Sequence, residues 1–179
     1  MRNFLRRVVT DDRGAVIIEL ALIAPILALC VAGIVDVSNA FSRKLALEQG
    51  AQRAIEKIMQ TTGEDSVEGT LKSEAVCQVN GVNVDGTCKT SPITSSNVTV
   101  TWRLECINKS SRTVTSSRTA TSDTTFDELS CGTDEHEAKY IQVGVTDKYA
   151  PMFPLQFFGV NNNGDKNYHV SATAGMRTQ

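Results

Sequence analysis

The feature that most constrains this chain is an apolar stretch close to its amino terminus. The 21 residues from Ala15 to Val35 contain a single charged side chain, Glu19. About 20 apolar residues in a helix are enough to cross a hydrocarbon core of ~30 Å. The arginine-rich residues 1–14 should stay in the cytoplasm, because positive charges mark the cytoplasmic side of membrane helices. The sequence therefore predicts a single membrane span with the rest of the chain on the far side.

Helical periodicity continues past the apolar stretch. Apolar residues recur every three or four positions as far as Ile58, with charged residues between them. We therefore predict one helix, with a membrane part at 15–35 and an amphipathic continuation at 36–60. Pro25 lacks a backbone N–H and is expected either to kink this helix or to leave a backbone carbonyl locally free.

The remaining residues, 61–179, are predicted to form an extracytoplasmic and mostly β domain. Asn97–Cys106 alternates apolar and polar residues, as do Tyr140–Thr146 and His169–Met176. Eleven of the 16 residues from 110 to 125 are Ser or Thr, a composition that fits either a mobile loop or an edge strand. The predicted fold class is α+β, in which the outer half of the long amino-terminal helix packs on a small antiparallel sheet.

Cysteine placement indicates an oxidising compartment. The polar part of the chain carries Cys77, Cys88, Cys106 and Cys131, and no CxxC pair suggests zinc. Four cysteines beyond a membrane span predict two disulfides, and three pairings are open. We favour Cys77–Cys88, which closes a short loop with two turn signals, together with Cys106–Cys131. Cys30 is read as an ordinary small residue of the membrane helix.

Two kinds of amino-terminal processing fit the sequence poorly. A signal peptide would be cut after Ala32, but its apolar region would then contain Glu19, at a cost of up to ~2.5–3.5 kcal/mol for a charge near the bilayer centre. A lipoprotein would use Cys30, where the preceding Leu29 is bulkier than the small residue expected there.

A third kind of processing explains the carboxylate. The segment GAVIIE, Gly14 to Glu19, resembles the type IV prepilin signature, in which a membrane peptidase cuts after the glycine. Cleavage would create a new amine on Ala15 and make Glu19 the fifth mature residue. In a helical assembly, Glu19 of one subunit would neutralise the Ala15 amine of the next, which reduces the cost of burying either charge.

The longer amino-terminal pattern RRVVTDDRGAVIIELALIAPILALCVAGIVDVSNAF resembles the TadE-like pseudopilins, the minor pilins of bacterial tight-adherence (Flp-type) type IV pili. A looser similarity covers YIQVGVTDKYAPMFPLQFFG and VSATAGMR. Leu20 stands where the major pilins of these systems usually carry Tyr, which argues against the main filament subunit. The middle of the chain, Thr61 to His136, has no such similarity.

The resemblance implies a pilin-like fold and a role in assembling an adhesive pilus. It also implies four kinds of partner: the inner membrane, a prepilin peptidase, other pilin and pseudopilin subunits, and the pilus assembly machinery. The leader would be residues 1–14, and the carboxyl-terminal domain would be periplasmic or extracellular.

An apolar segment near the carboxyl terminus has two interpretations. Between Ala150 and Val160 it carries Phe153, Leu155, Phe157 and Phe158. Such a segment either folds over the core between two strands or forms an exposed patch that docks another pilus component.

The sequence carries no catalytic, phosphate-binding or metal-binding motif in a supporting context. We therefore expect a protein that is not an enzyme and that needs no cofactor or metal. The net charge of −2 gives no reason to expect nucleic-acid binding. The alternatives are an uncleaved single-span protein with a ligand-binding or sensing domain, and a tethered enzyme.

Overall fold

The computed structural model describes residues 12–60, 67–152, 165 and 167–178. Its elements in chain order are α1 (Asp12–Gln60), α2 (Val67–Asn80), a 3₁₀ turn (Ser95–Asn97), β1 (Val98–Asn108), β2 (Val114–Ala120), α3 (Asp123–Asp127), β3 (Glu135–Tyr149) and β4 (Tyr168–Arg177). This is the predicted α+β architecture, a long amino-terminal helix packed on a small antiparallel sheet.

The four strands form one antiparallel sheet in the order β2-β1-β3-β4. Alternation along β1 gives the sheet two unlike faces. Val98, Val100, Trp102 and Leu104 are buried, while Thr99 and Arg103 between them are exposed. The predicted two-residue period of this strand is therefore confirmed.

One face of the sheet is covered by the two long helices. The buried residues that α1 contributes are Leu47, Ala51, Ala54 and Ile55, and α2 contributes Leu71, Ala75 and Val76. Gly50 lets the two helices approach closely, because an added Cβ would lie 2.5 Å from Val79 Cγ2 and 3.1 Å from the Ala75 carbonyl oxygen. The other face of the sheet is polar.

The boundaries of α1 match the predicted helix at its carboxyl end. The helix ends at Gln60, and it begins at Asp12, three residues before the predicted start at Ala15. It continues through Pro25 without interruption.

The middle of the chain differs from its mostly β prediction. Val67–Asn80 is a helix, whose apolar residues Leu71, Ala75 and Val76 follow the spacing of one helical face. Gly81 has a φ of 79° and its N–H bonds to the Cys77 carbonyl at 2.8 Å, so Asn80-Gly81 ends this helix.

The Ser/Thr-rich stretch contains the edge strand β2, followed by the short helix α3. Of the two interpretations left open for it, the edge strand is confirmed. Pairing with β1 runs from Trp102–Ala120 to Ile107–Val114, with an irregularity between Cys106 and Ile107.

Candidate functional site

The amino-terminal half of α1 is largely exposed from Val16 to Val35. Val16, Ile17, Leu20 and Leu22 each have more than 60% of their surface exposed, and none of the most apolar part of the helix is buried inside the protein. By length and composition, α1 is able to cross a membrane.

The residues predicted to govern processing lie at the start of this exposed half. The Gly14–Ala15 bond is in the first turn of α1, and Glu19 is exposed one helical turn further along. One turn separates Ala15 from Glu19, so both positions lie on one side of the helix. Cleavage after Gly14 and the assembly role of Glu19 stay predictions.

An exposed apolar stripe extends this surface beyond the apolar stretch. Its members are Ile34, Val37, Phe41 and Leu45, which are 67%, 54%, 60% and 42% exposed. They are spaced by three or four residues and therefore lie along one side of α1. At ~1.5 Å per residue, Leu45 is ~15 Å past Val35, so the stripe extends well beyond the apolar stretch.

Two polar contacts join α1 to the β3–β4 hairpin. Asp36 is only 3% exposed, and its Oδ1 accepts a hydrogen bond from the Met152 backbone N–H at 2.9 Å. Arg43 Nε lies 2.8 Å from Oδ2 of Asp147, whose side chain is 8% exposed. Sequence reasoning did not single out these residues, although a carboxylate directly after an apolar stretch is a signal that could have identified Asp36.

Disulfides join Cys77 to Cys88 and Cys106 to Cys131, the pairing favoured from the sequence. The Cα atoms are 4.8 Å and 5.6 Å apart, within the usual range for such bridges. The first holds a small loop to the end of α2, and the second ties β1 to the segment before β3. Cys30 is a free and exposed cysteine of α1.

One group of described residues has the composition of a metal site. Sulfur and oxygen atoms of Cys106, Cys131 and Glu135 lie within 4.8 Å of one another. The two sulfurs are bonded to each other, so neither is a thiolate ligand. Glu135 accepts hydrogen bonds from the Thr115 hydroxyl and from the Gly132 N–H. Both lower the pKa of Glu135, and the Thr115 bond has the larger effect. This carboxylate therefore braces the turn before β3.

The segment predicted either to fold over the core or to dock a partner lies outside the described residues. It includes Phe153, Leu155, Phe157 and Phe158. The described flanks end at Met152, which is 68% exposed, and resume at Asp165.

The comparisons with known proteins bear on α1. Residues 14–55 match the model of the TadE-like protein family. Searches of curated proteins and of solved structures gave no match. The matched segment begins at Gly14 and covers most of α1, so it contains the exposed apolar half, Glu19 and both residues that contact the β3–β4 hairpin. The match confirms the amino-terminal resemblance predicted from the sequence, and residues 14–55 are similar to the TadE-like protein family.

Proposed function

We propose that this chain is a minor pilin that takes part in assembling a tight-adherence pilus after a prepilin peptidase cleaves it between Gly14 and Ala15. Its role is structural and not enzymatic, and it serves surface adhesion. The TadE-like match suggests the tight-adherence context. The observation that carries the proposal is the division of α1 into an exposed apolar half and an outer half that packs on a folded domain.

The exposed stripe supports subunit assembly. Phe41 and Leu45 lie beyond the apolar stretch, yet they are 60% and 42% exposed. Apolar area in water costs roughly 25 cal/mol per Å², so covering the stripe with a helix of another subunit is favourable. A helix that pairs along the stripe would continue the lateral contact of two membrane helices into the polar region.

Glu19 supports assembly through its charge. A carboxylate in apolar surroundings is costly unless a positive group neutralises it. The amine that cleavage would create on Ala15 is such a group, and an adjacent subunit could bring it to Glu19. Insertion and cleavage precede this pairing, so neither should require the carboxylate.

Cleavage is tested by the amino-terminal residue of the mature protein, measured by mass spectrometry of the membrane fraction. Ala15 is the expected first residue. Gly14→Val should leave the full-length precursor, because a bulky residue hinders entry of the backbone into a protease cleft. A mature protein that begins at Gly33 or Cys30 would contradict the proposal, because it would indicate a signal peptide or a lipoprotein.

Assembly is tested by substituting Glu19 in a strain that lacks the natural copy of the chain. Glu19→Ala should be cleaved normally but should fail to restore pili or to co-purify with them. Glu48→Ala is the matched control, since Glu48 lies on the same helix with its side chain 42% exposed and only a 3.8 Å ion pair to Lys44. Normal piliation by Glu19→Ala would refute the assembly role.

A further inference from the structure

A groove lies on the face of the sheet that is turned away from the two long helices. It has a volume of about 510 Å³ and is lined by residues of all four strands. Sites for small molecules usually have volumes of ~300–1,000 Å³. All of the lining residues belong to the described part of the chain, at the end of the β3–β4 ladder where Tyr140 pairs with Arg177. The groove is therefore large enough for a small ligand.

Gly175 forms the floor of the groove in the middle of β4. Alternate residues of a strand point to the same face, so Thr173, Gly175 and Arg177 share this one. A Cβ on Gly175 would lie 3.1 Å from the Ile141 carbonyl oxygen, so the two strands pack closely here. A glycine inside a strand often marks a place where a ligand or another backbone approaches closely. Its missing side chain leaves a gap between those of Thr173 and Arg177.

Two arginines flank Tyr140 in one row across the sheet. Tyr140 pairs with Arg103 on β1 and with Arg177 on β4. Side chains that are directly opposite in antiparallel strands have Cβ atoms ~4.5–5.5 Å apart, so both guanidinium groups can reach a ligand that lies over Tyr140. Among the residues that line the groove, Arg103 and Arg177 are the charged ones. The groove therefore favours an anionic ligand.

Arg103 is held in position by two contacts. Its Cζ lies over the Tyr140 ring, 4.9 Å from the ring centroid, and its Nη2 is 3.2 Å from Glu105 Oε1. The Arg103 side chain is still 49% exposed, and a guanidinium has five N–H donors, so donors remain for a ligand. A group that is already oriented loses less entropy on binding. Because arginine matches a carboxylate with two parallel hydrogen bonds, this row suits a ligand that carries a carboxylate.

The uncharged part of the groove favours a ligand rich in hydroxyl groups. Thr101, Gln142 and Thr173 line it, and their hydroxyl and amide groups both donate and accept hydrogen bonds. No described residue hydrogen-bonds to the side chain of Gln142, which is exposed. The hydroxyl groups of a sugar also donate and accept, and the less polar C–H face of a sugar ring packs on flat groups such as Tyr140.

We propose that this groove binds a saccharide that carries a carboxylate, of the hexuronic acid class. The guanidinium groups of Arg103 and Arg177 bind the carboxylate. The sugar hydroxyls pair with the hydroxyl and amide side chains that line the groove. This site goes beyond the proposed function, because it requires neither cleavage of the chain nor assembly of a pilus.

The test uses the full-length protein in a detergent that has no sugar head group. Ligand-observed NMR titrations would compare methyl β-D-glucuronide, methyl β-D-glucoside and acetate. The glucoside has the same ring with a CH₂OH group in place of the carboxylate, and acetate has the carboxylate without the ring. The glucuronide should bind at least about tenfold more tightly than either compound, because only the glucuronide makes both the charged and the hydroxyl contacts.

Three outcomes of these titrations would overturn the proposal. Acetate or inorganic phosphate that binds as tightly as the glucuronide would indicate a general anion site. Glucoside that binds as tightly would mean that the arginines do not recognise the ligand. Absence of glucuronide binding at about 10 mM would also overturn it, because a site built for this ligand should bind it more tightly than that.

A substitution at Arg177 tests where the carboxylate binds. Arg177→Gln should weaken glucuronide binding about tenfold, because it removes a charge-assisted pair of hydrogen bonds. Arg53→Gln is the matched control, since Arg53 lies on α1 with its side chain 43% exposed and a 3.5 Å ion pair to Glu56. Glucuronide binding by this control should equal that of the parent. An equal loss in the two variants would mean that overall charge, and not the groove, attracts the ligand.

A substitution at Gln142 tests the hydroxyl contacts. Gln142→Leu keeps a side chain of similar size but removes the amide, so it should weaken glucuronide binding about threefold. The exposed Gln142 side chain has no described hydrogen bond to lose, so the fold should be unaffected, which Trp102 fluorescence checks. Glucuronide binding equal to that of the parent would show that the ligand does not lie in this groove.

Discussion

Removing the Cys106–Cys131 bridge should cost this domain a large part of its stability. The bridge links residues 25 apart in sequence, and the Cys77–Cys88 bridge links residues 11 apart. In the chain-entropy model, these separations give ~3.5 kcal/mol for the first bridge and ~2.8 kcal/mol for the second. Small domains are stable by only ~5–15 kcal/mol, so losing either bridge would greatly increase the unfolded population.

The structure adds a packing contribution at one of the two bridges. Cys106 is 1% exposed within the core beside Leu104, whereas Cys77 and Cys88 are only half-buried. Substitution of Cys106 by alanine therefore also leaves a small void, which adds to the cost. Reducing a Cys77→Ala/Cys88→Ala variant breaks the Cys106–Cys131 bridge without changing its side chains, and this separates the two effects.

Trp102 provides the assay. It is the only tryptophan of the chain and is 2% exposed in the core, so its fluorescence reports unfolding of the domain in detergent-solubilised full-length protein. Guanidinium titrations would compare the parent with Cys106→Ala/Cys131→Ala, and Cys30→Ala is the matched control because Cys30 forms no bridge. Losses below ~1 kcal/mol on removing the bridge would refute the reasoning, since the chain-entropy model requires about three times as much.

Three further predictions concern packing and charge. Arg43→Ala should lower the free energy of unfolding by ~3 kcal/mol in the same titration, because it leaves the carboxylate of Asp147 buried without its ion pair. A loss of unfolding free energy no larger than that expected for a solvent-exposed ion pair would contradict this. Gly50→Ala should destabilise by ~1 kcal/mol through its clash with α2, whereas Gly69→Ala, whose added Cβ meets nothing within 4 Å, should be neutral or stabilising by up to ~1 kcal/mol. Hydrogen bonds from His169, and to a lesser extent from Lys148, hold the pKa of Asp165 well below its usual 3.8. The ionised carboxylate therefore stabilises the folded state above pH 3.8, and this stabilisation is lost as the pH falls through the lower pKa of the folded state. The stability difference between the parent and Asp165→Asn, measured by thermal unfolding, should therefore shrink on acidification below pH 3.8.

The sequence predicts correctly those helices and strands whose pattern of apolar and polar residues reflects a single kind of surroundings. Alternation in β1 reflects burial of Val98, Val100 and Trp102 against the helices, and the apolar stretch of α1 is long and apolar enough to cross a membrane. In both cases a single periodicity or composition is enough. The two bridges could also be predicted, because each joins cysteines that are consecutive in the polar part of the chain.

The elements that the sequence missed or left undecided depend on tertiary contacts. In α2, Leu71 and Ala75 are buried, but Gly69, Thr70 and Ser73 weaken the helical signal until α1 packs against it. In β2 most side chains are exposed, so its strand conformation comes from backbone pairing with β1 and leaves little trace in composition. The Asp36–Met152 contact joins residues 116 apart in sequence, and no local pattern reveals such a pair.

Asp36 explains how one continuous helix serves two environments. Up to Val35 the helix is exposed and apolar and needs no partner from its own chain, whereas from Leu47 onward one side of it belongs to the core of the domain. Between these parts, Asp36 and Arg43 each hold the β3–β4 hairpin through a polar contact that has a defined position along the helix. Because apolar packing alone tolerates sliding and rotation, these two contacts fix the position of the domain along the helix relative to its exposed apolar half. The side of α1 that bears Val37 and Phe41 stays uncovered in that position, which leaves it available to another subunit.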